Sequence, residues 1–292
     1  MKPLAESISK AELASEIARL TPMKHFRGLD IYQVHGDDAP RLMLEIGRIR
    51  ELVFRGAGAG RGEARDLDHL DTSQLGYKQL IVWDPVTEEL VAMYRFQNGE
   101  HALTGGDEVL RTSSLFTYTD RFRKDWLPHA IELGRSVVNP FAKRKTLGFF
   151  AVWQGLGALI QAYPQLSCFF GNVTLYKNFP KEVLDTLVAT CENWYAPPEP
   201  LMQAKLALKY NSPAKPLPRP EDDSPLTRMQ ALKEALAAHE ARIPPILQSY
   251  MGLSNDIYLG ETAADQDFGD AYEIAIVVPI KNIAPDVLKK FL

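Results

Sequence analysis

Cysteine is nearly absent from this chain of 292 residues, with Cys168 and Cys191 the only two. They form no metal-binding spacing and no disulfide framework, so a reducing compartment is the simplest setting. His69 stands without partners of ligand type, and no metal is expected. An excess of positive charge is also missing: the formal net charge is -4, which argues against nucleic acid as a partner. The most apolar stretch, Leu147 to Tyr163, is broken by Gln154 and Gln161 and falls short of a membrane span. The opening MKPLAESISK has neither an apolar core nor a cleavage pattern, so no secretory signal is read there. Repeats are lacking, and so is low complexity outside one proline-rich segment. What remains is a cytoplasmic protein of ordinary composition, 46% hydrophobic and 24% charged, whose contact with an inner membrane would be peripheral.

The chain is organised around Ile131 to Phe150, IELGRSVVNPFAKRKTLGFF. Ile131, Leu133, Val137 and Val138 suit a covered strand, and Pro140 cannot continue its ladder. A basic turn follows, then a helix that is apolar nearly all round and therefore expected on the sheet. Thr146 is the predicted N-cap. The helix would aim free N–H groups at whatever Lys143, Arg144 and Lys145 attract, and a phosphate-bearing group is the natural guest. Gly148, Gly155 and Gly157 lower helix propensity and predict close backbone approach along it.

Read in order, residues 1–24 form a peripheral arm with a helix over Ser9 to Leu20. A strand is predicted over Leu29 to Val34, and a helix over Pro40 to Phe54. Arg55 to Gly76 is a long connection rich in glycine and charge. Its Gly-x-Gly pattern follows a helix and precedes a strand, the reverse of a dinucleotide fingerprint, so a mobile lid is the expectation. Strands follow at Tyr77 to Trp83 and Glu89 to Phe96, joined across Asp84-Pro85. Beyond the central helix come a strand over Ser167 to Thr174, bounded by Asn178, and a helix from Pro180 to about Tyr195. Residues 196–225 carry prolines from Pro197 to Pro213 and on to Pro225, and are expected to be an extended, wrapping insertion. A helical segment at 226–242 and a last strand over Tyr272 to Ile280 complete a single domain spanning 25–292.

The words ELGRSVVNP and LGFFAVWQGLGALI resemble the Gcn5-related (GNAT) superfamily, in the branch of ornithine and glycine N-acyltransferases that make aminolipids. RIRELVF, DLDHLD and YRF are similar to further motifs of that branch, and the same positions resemble the sister acyl-homoserine-lactone synthases. The resemblance covers roughly 40–180 and 243–280. It implies an α/β fold of α+β type, with a central mixed, mostly antiparallel sheet flanked by helices and a splayed pair of central strands. It also implies transfer of a long, 3-hydroxylated acyl chain from acyl carrier protein to the α-amine of an amino acid, with no permanently bound cofactor. The turn KRKTLGFF departs from the usual acyl-coenzyme A signature, since Phe150 stands where a small residue is usual, so acyl-CoA is the second choice of donor.

That chemistry needs a base for the amine, a polarised carbonyl and a held leaving thiolate. A lone Glu132 would read as a solvated strand residue; the neighbouring Arg135 and the family resemblance together make it the candidate base. In a regular strand these two side chains point to opposite faces. One site for both requires a bulge, placed at Gly134, which would free the N–H of Ser136 or Val137 for the thioester oxygen. Asp68 and Asp71 would take the acceptor's ammonium, and Arg50 or Arg95 its carboxylate, with Phe54 in the same motif as Arg50. Val137, Val138, Lys143, Arg144, Lys145, Thr146 and Gly148 would hold the donor's phosphopantetheine arm. Phe149, Phe150, Trp153, Phe169 and Phe170 read first as core and second as an acyl pocket. Ser136 and Cys168 have no base spaced to activate them, so direct attack by the amine is expected. Two alternatives stay open: an acyl-homoserine-lactone synthase, and a lipid- or carrier-binding module without turnover.

Overall fold

The computed structural model describes every residue except 74, 178 and 211–213. The strand boundary at Asn178 and the Pro213 of the insertion lie outside the described residues. In chain order the elements are α1 (Lys10–Ile17), β1 (Lys24–Phe26), β2 (Leu29–Val34), α2 (Pro40–Gly56), α3 (His69–Thr72), β3 (Lys78–Asp84), β4 (Glu89–Asn98), α4 (His101–Gly105), β5 (Phe116–Tyr118), β6 (Ala130–Val138) and α5 (Lys145–Ala162). They continue with β7 (Cys168–Leu175), α6 (Lys181–Trp194), β8 (Met202–Ala204), α7 (Pro225–Ala237), α8 (Pro245–Met251), β9 (Tyr258–Asp265), β10 (Ala271–Pro279) and α9 (Pro285–Leu288). They divide between two compact units, one of Met1–Leu110, Ile131–Leu166 and Leu288–Leu292, the other of Arg111–Ala130 and Ser167–Val287.

In the first unit β1, β2, β3, β4 and β6 lie in that spatial order, every pair antiparallel. The short β1 is an addition to the predicted order, folded back through Arg27 and Gly28, both at positive φ. Along β3, Leu80 points to α5 and its neighbour Gln79 to the opposite face, which carries the polar cluster. The predicted close approaches of α5 are real. A Cβ on Gly148 would lie 2.9 Å from Val91 Cγ1, and one on Gly157 would collide with the Phe291 carbonyl. Gly157→Ala should therefore lift the Leu288–Leu292 segment off α5 at a cost of about 1–3 kcal/mol, read as a lower Tm and faster proteolysis there.

The N-terminal helix is no free arm. Leu13 and Ile17 are buried, and Glu16 accepts hydrogen bonds from the first backbone N–H groups of α2, Arg41 N and Leu42 N, at 3.1 and 2.8 Å. The carboxylate sits where a helix N-terminus favours negative charge.

In the second unit β7, β10 and β9 form an antiparallel group, and β5 pairs with β8. The proline-rich insertion, expected to be extended and wrapping, carries one short strand, β8. Two of its turns lean on neighbouring chain: Leu217 N donates to Thr190 Oγ1 and Leu208 N to the Thr262 carbonyl. Where no proline removes the donor, the insertion's backbone N–H groups find partners on neighbouring chain. Trp153, Phe169 and Phe170 are buried as core, whereas Phe150 is exposed.

Candidate active site

The ladder between β4 and β6 breaks where parity demanded it. Met93 pairs with Val137 and Arg95 with Gly134, so Arg135 and Ser136 both stand opposite Tyr94. The residue that takes the left-handed conformation is Arg135, at φ 58, and not Gly134. A non-glycine residue accepts that backbone only when its surroundings hold it, and here they do. Arg135 Nε donates to Asp66 Oδ2 at 2.8 Å and Nη2 to Oδ1 at 3.4 Å, while the guanidinium stands 5.5 Å from the Phe54 ring centre.

Asp66 is the hinge of a buried ionic chain. Arg50 Nε donates to Asp66 Oδ2 at 2.9 Å, and the Arg50 fork grips Asp71 through 3.0 and 3.2 Å bonds. Arg95 Nη1 reaches Asp71 at 3.2 Å and Asp68 at 3.3 Å, and Gln79 Nε2 also donates to Asp71. The Arg95 guanidinium lies 4.6 Å from the Tyr77 ring centre, within cation–π range. The Tyr77 hydroxyl in turn donates to the Glu132 carboxylate. Glu132 and Arg135 are therefore the two ends of one side-chain network, which a regular strand would have kept on opposite faces.

This geometry corrects the expected acceptor-binding roles. Arg50 and Arg95 are fully buried; aspartates take Nε, Nη1 and Nη2 of Arg50, while Arg95 gives Nη1 to Asp68 and Asp71 and keeps its Nε buried without a partner among the described residues, so burial sets both apart from an exposed substrate carboxylate. Asp71 is buried between them, and the half-buried Asp68 accepts from Leu70 N as the cap of α3 as well as from Arg95. Phe54 is buried as the platform under Arg135. The connection that reads as a mobile lid is stitched down as well. Asp66 N donates to the Gly47 carbonyl, Arg61 N to Glu51, and Lys2 N to the Gly62 carbonyl. Gly47 in mid-helix permits this, because a Cβ there would strike the Leu67 side chain at 2.5 Å.

Comparison with known proteins follows the same line. Residues 49–153 match the Acetyltransferase (GNAT) domain. A Glycine N(alpha)-acyltransferase of Bacteroides thetaiotaomicron is 33% identical over 304 aligned positions, covering 98% of this chain and 87% of that protein. Its namesake in Phocaeicola vulgatus is 33% identical over 303 positions, covering 97% and 89%. The chain belongs to the GNAT-type N-acyltransferases. The crystal structure of the AHL synthase LasI overlaps 50% of this chain and 72% of its own, at 14% identity and a TM-score of 0.35. Among the described residues no helix is long and apolar enough to cross a membrane.

In this N-acyltransferase burial works against the Asp66 charge, but Arg50, Arg135 and Arg95 outweigh it and hold the carboxyl at about 2, below its ordinary 3.8. Asp71 is held low for the same reasons, by Arg50 and Arg95 against burial. A depressed carboxyl contributes stability above its unfolded value, and that contribution is lost as pH falls through the folded value. Acid titration followed by circular dichroism should show stability falling from about pH 3.8 toward 2, with a shallower slope in Asp66→Asn.

On the donor side the basic turn is built otherwise than its sequence suggests. The helix starts at Lys145 with Arg144 as its cap residue, no side chain capping it, because Lys145 N already closes a turn onto the Ala142 carbonyl. Thr146 is therefore inside the first turn. Arg144 points to the β1–β2 turn, donating to the Gly28 carbonyl at 3.1 Å and to the Arg27 carbonyl. Lys145 Nζ donates to the Pro140 carbonyl at 2.8 Å. Gly148 serves packing against Val91 and is not open to a ligand. Lys143 is exposed, Val137 is buried and Val138 is half-buried on the strand. Burial pushes the Cys168 thiol up to about 12, which keeps it protonated at neutral pH.

Sequence reading missed Asp66 and Tyr77. The first lies in the same word as Asp68 and Asp71, and the mid-helix Gly47 was the signal that this loop comes close. The second marks the start of a strand in pattern, and only pairing of β3, β4 and β6 reveals what its hydroxyl meets.

Proposed function

We propose that this enzyme moves a long acyl chain from acyl carrier protein to the α-amine of an amino acid, with glycine the first acceptor to try because both curated relatives carry that name. The single observation that carries the reading is the bulge at Arg135, which puts Glu132 and Arg135 in one network. The Glu132 carboxylate takes a proton from the attacking ammonium, directly or through water. The amine nitrogen then bonds to the thioester carbon, the N–H of Ser136 or Val137 meets the developing oxyanion, and the C–S bond breaks. As the adduct collapses, the nitrogen gives its second proton to solvent and the departing thiolate takes the proton held by Glu132, so the products are an amide, a free carrier thiol and one released proton. Arg135 acts as a positioning residue that keeps the bulge open. Lys143, exposed beside the start of α5, receives the donor's phosphate.

Pure protein incubated with acyl carrier protein charged with a 3-hydroxyacyl chain and a pool of amino acids should give N-acylglycine by mass spectrometry. Acyl-CoA in place of the carrier tests the other donor. Product that forms only with S-adenosylmethionine would favour a lactone synthase, and loss of thioester without any acylated amine would defeat the reading.

A further inference from the structure

With α1 closed down on α2, a membrane-facing surface must be sought elsewhere, and one is present in the first unit. Phe141 and Phe150 keep 74% and 58% of their surface in solvent, and Val86 keeps 83%. Phe141 and Phe150 flank the β6–α5 turn, and Val86 sits in the β3–β4 turn that abuts it: Lys143 N donates to Glu89 at 2.9 Å and Asn139 Nδ2 to the Leu90 carbonyl at 2.9 Å. Bulky apolar residues so bare, grouped at one end of a sheet, call for a partner.

The charge around them names its sign. Arg27, Lys143, Lys145, Lys289 and Lys290 are exposed, and none has a carboxylate partner among the described residues. Lys289 and Lys290 are brought to this face by the bond of Gln154 Nε2 to the Lys290 carbonyl at 2.5 Å, one helical turn from Phe150. Arg27 is brought there by Arg144. The nearby acids are mostly engaged: Glu89 with Lys10 at 2.9 Å and Asp84 facing Arg144 at 3.9 Å, leaving Glu88 exposed. This cluster of cations stands on a chain whose net charge is -4.

The geometry points to an anionic lipid surface as the occupant of this face, with Phe141, Phe150 and Val86 entering the headgroup boundary and Lys145, Lys289 and Lys290 meeting the lipid phosphates. Protruding rings framed by lysine suit a soft interface that apolar side chains can enter, and the basic frame gives the salt-dependent attraction of juxtamembrane clusters. Binding to lipid is read without turnover, so it stands or falls apart from the acyl-transfer reading.

The test is sedimentation of the full chain with phosphatidylcholine vesicles, with and without about one third phosphatidylglycerol. The wild type should pellet with the anionic vesicles and stay in solution with the neutral ones. Phe141→Ser with Phe150→Ser should weaken that binding about tenfold or more. Lys289→Glu with Lys290→Glu should weaken it comparably at low salt and less at high salt. Both double variants change exposed side chains, so unchanged circular dichroism and unchanged turnover of soluble donor are expected. Equal pelleting of the wild type and the aromatic variant would overturn the proposal. So would absence of pelleting with anionic lipid, or an aromatic variant that loses acyl carrier protein and keeps the vesicles.

Discussion

Glu132→Gln should lower acyl transfer by roughly 10²- to 10⁴-fold, the range a positioned general base contributes, while leaving the fold in place. Glutamine keeps the shape and can still accept from the Tyr77 hydroxyl that Glu132 now meets, so the loss isolates the proton-accepting step. Steady-state kinetics with saturating donor should place the loss in kcat. A variant that retains more than about a tenth of wild-type turnover would remove Glu132 from the reaction. Tyr77→Phe provides the companion measurement: if the hydroxyl orients the carboxylate, the pH dependence of kcat shifts, and if Tyr77 only supports Arg95, stability alone falls.

Asp66→Ala should be the most damaging change to the fold. It removes the one carboxylate shared by Arg50 and Arg135, and leaves the buried Arg50 with Asp71 alone, itself already shared with Arg95. Removing one member of a buried ion pair costs about 3–5 kcal/mol, a large fraction of the stability of an ordinary domain. Denaturant unfolding should register that loss. Arg135 would lose the clamp on its left-handed backbone, so the residual folded enzyme should transfer poorly even where Tm is recovered by a stabilising background. A stability loss under about 1 kcal/mol would show that the network relaxes around the gap.

Much of this was written in the sequence because apolar periodicity and turn chemistry are local. The helix from Pro40, the strands on either side of Asp84-Pro85 and the β6–α5 unit all stand within a few residues of where pattern places them. The bulge was legible for a different reason: two functional side chains at odd spacing contradict a regular strand, and the contradiction locates the irregularity to within one residue. Burial was not legible. Arg50, Arg95 and Asp71 look like surface charges in a line of text, and only the approach of the Asp66 loop to Gly47 of α2, with Asp66 sixteen residues from Arg50 along the chain, converts them into a sealed network. The strand hidden in the proline-rich insertion escaped for a similar cause, since its pairing partner, β5, is itself only three residues long.

The network has an arithmetic that bears on how the protein is made. Its directly ion-paired groups are Asp66, Asp68 and Asp71 with Arg50, Arg95 and Arg135, three negative charges against three positive; Glu132, joined through Tyr77, stands outside that sum. On a ribosome the three acids and the first two arginines leave the exit channel well before Arg135 does. Until β6 is synthesised the cluster carries one surplus negative charge, and sealing it from water is then unfavourable. The sheet should thus stay open at this edge during translation and close when its last charge arrives, which makes β6 the segment that both completes the ladder and commits the nascent chain to its active site.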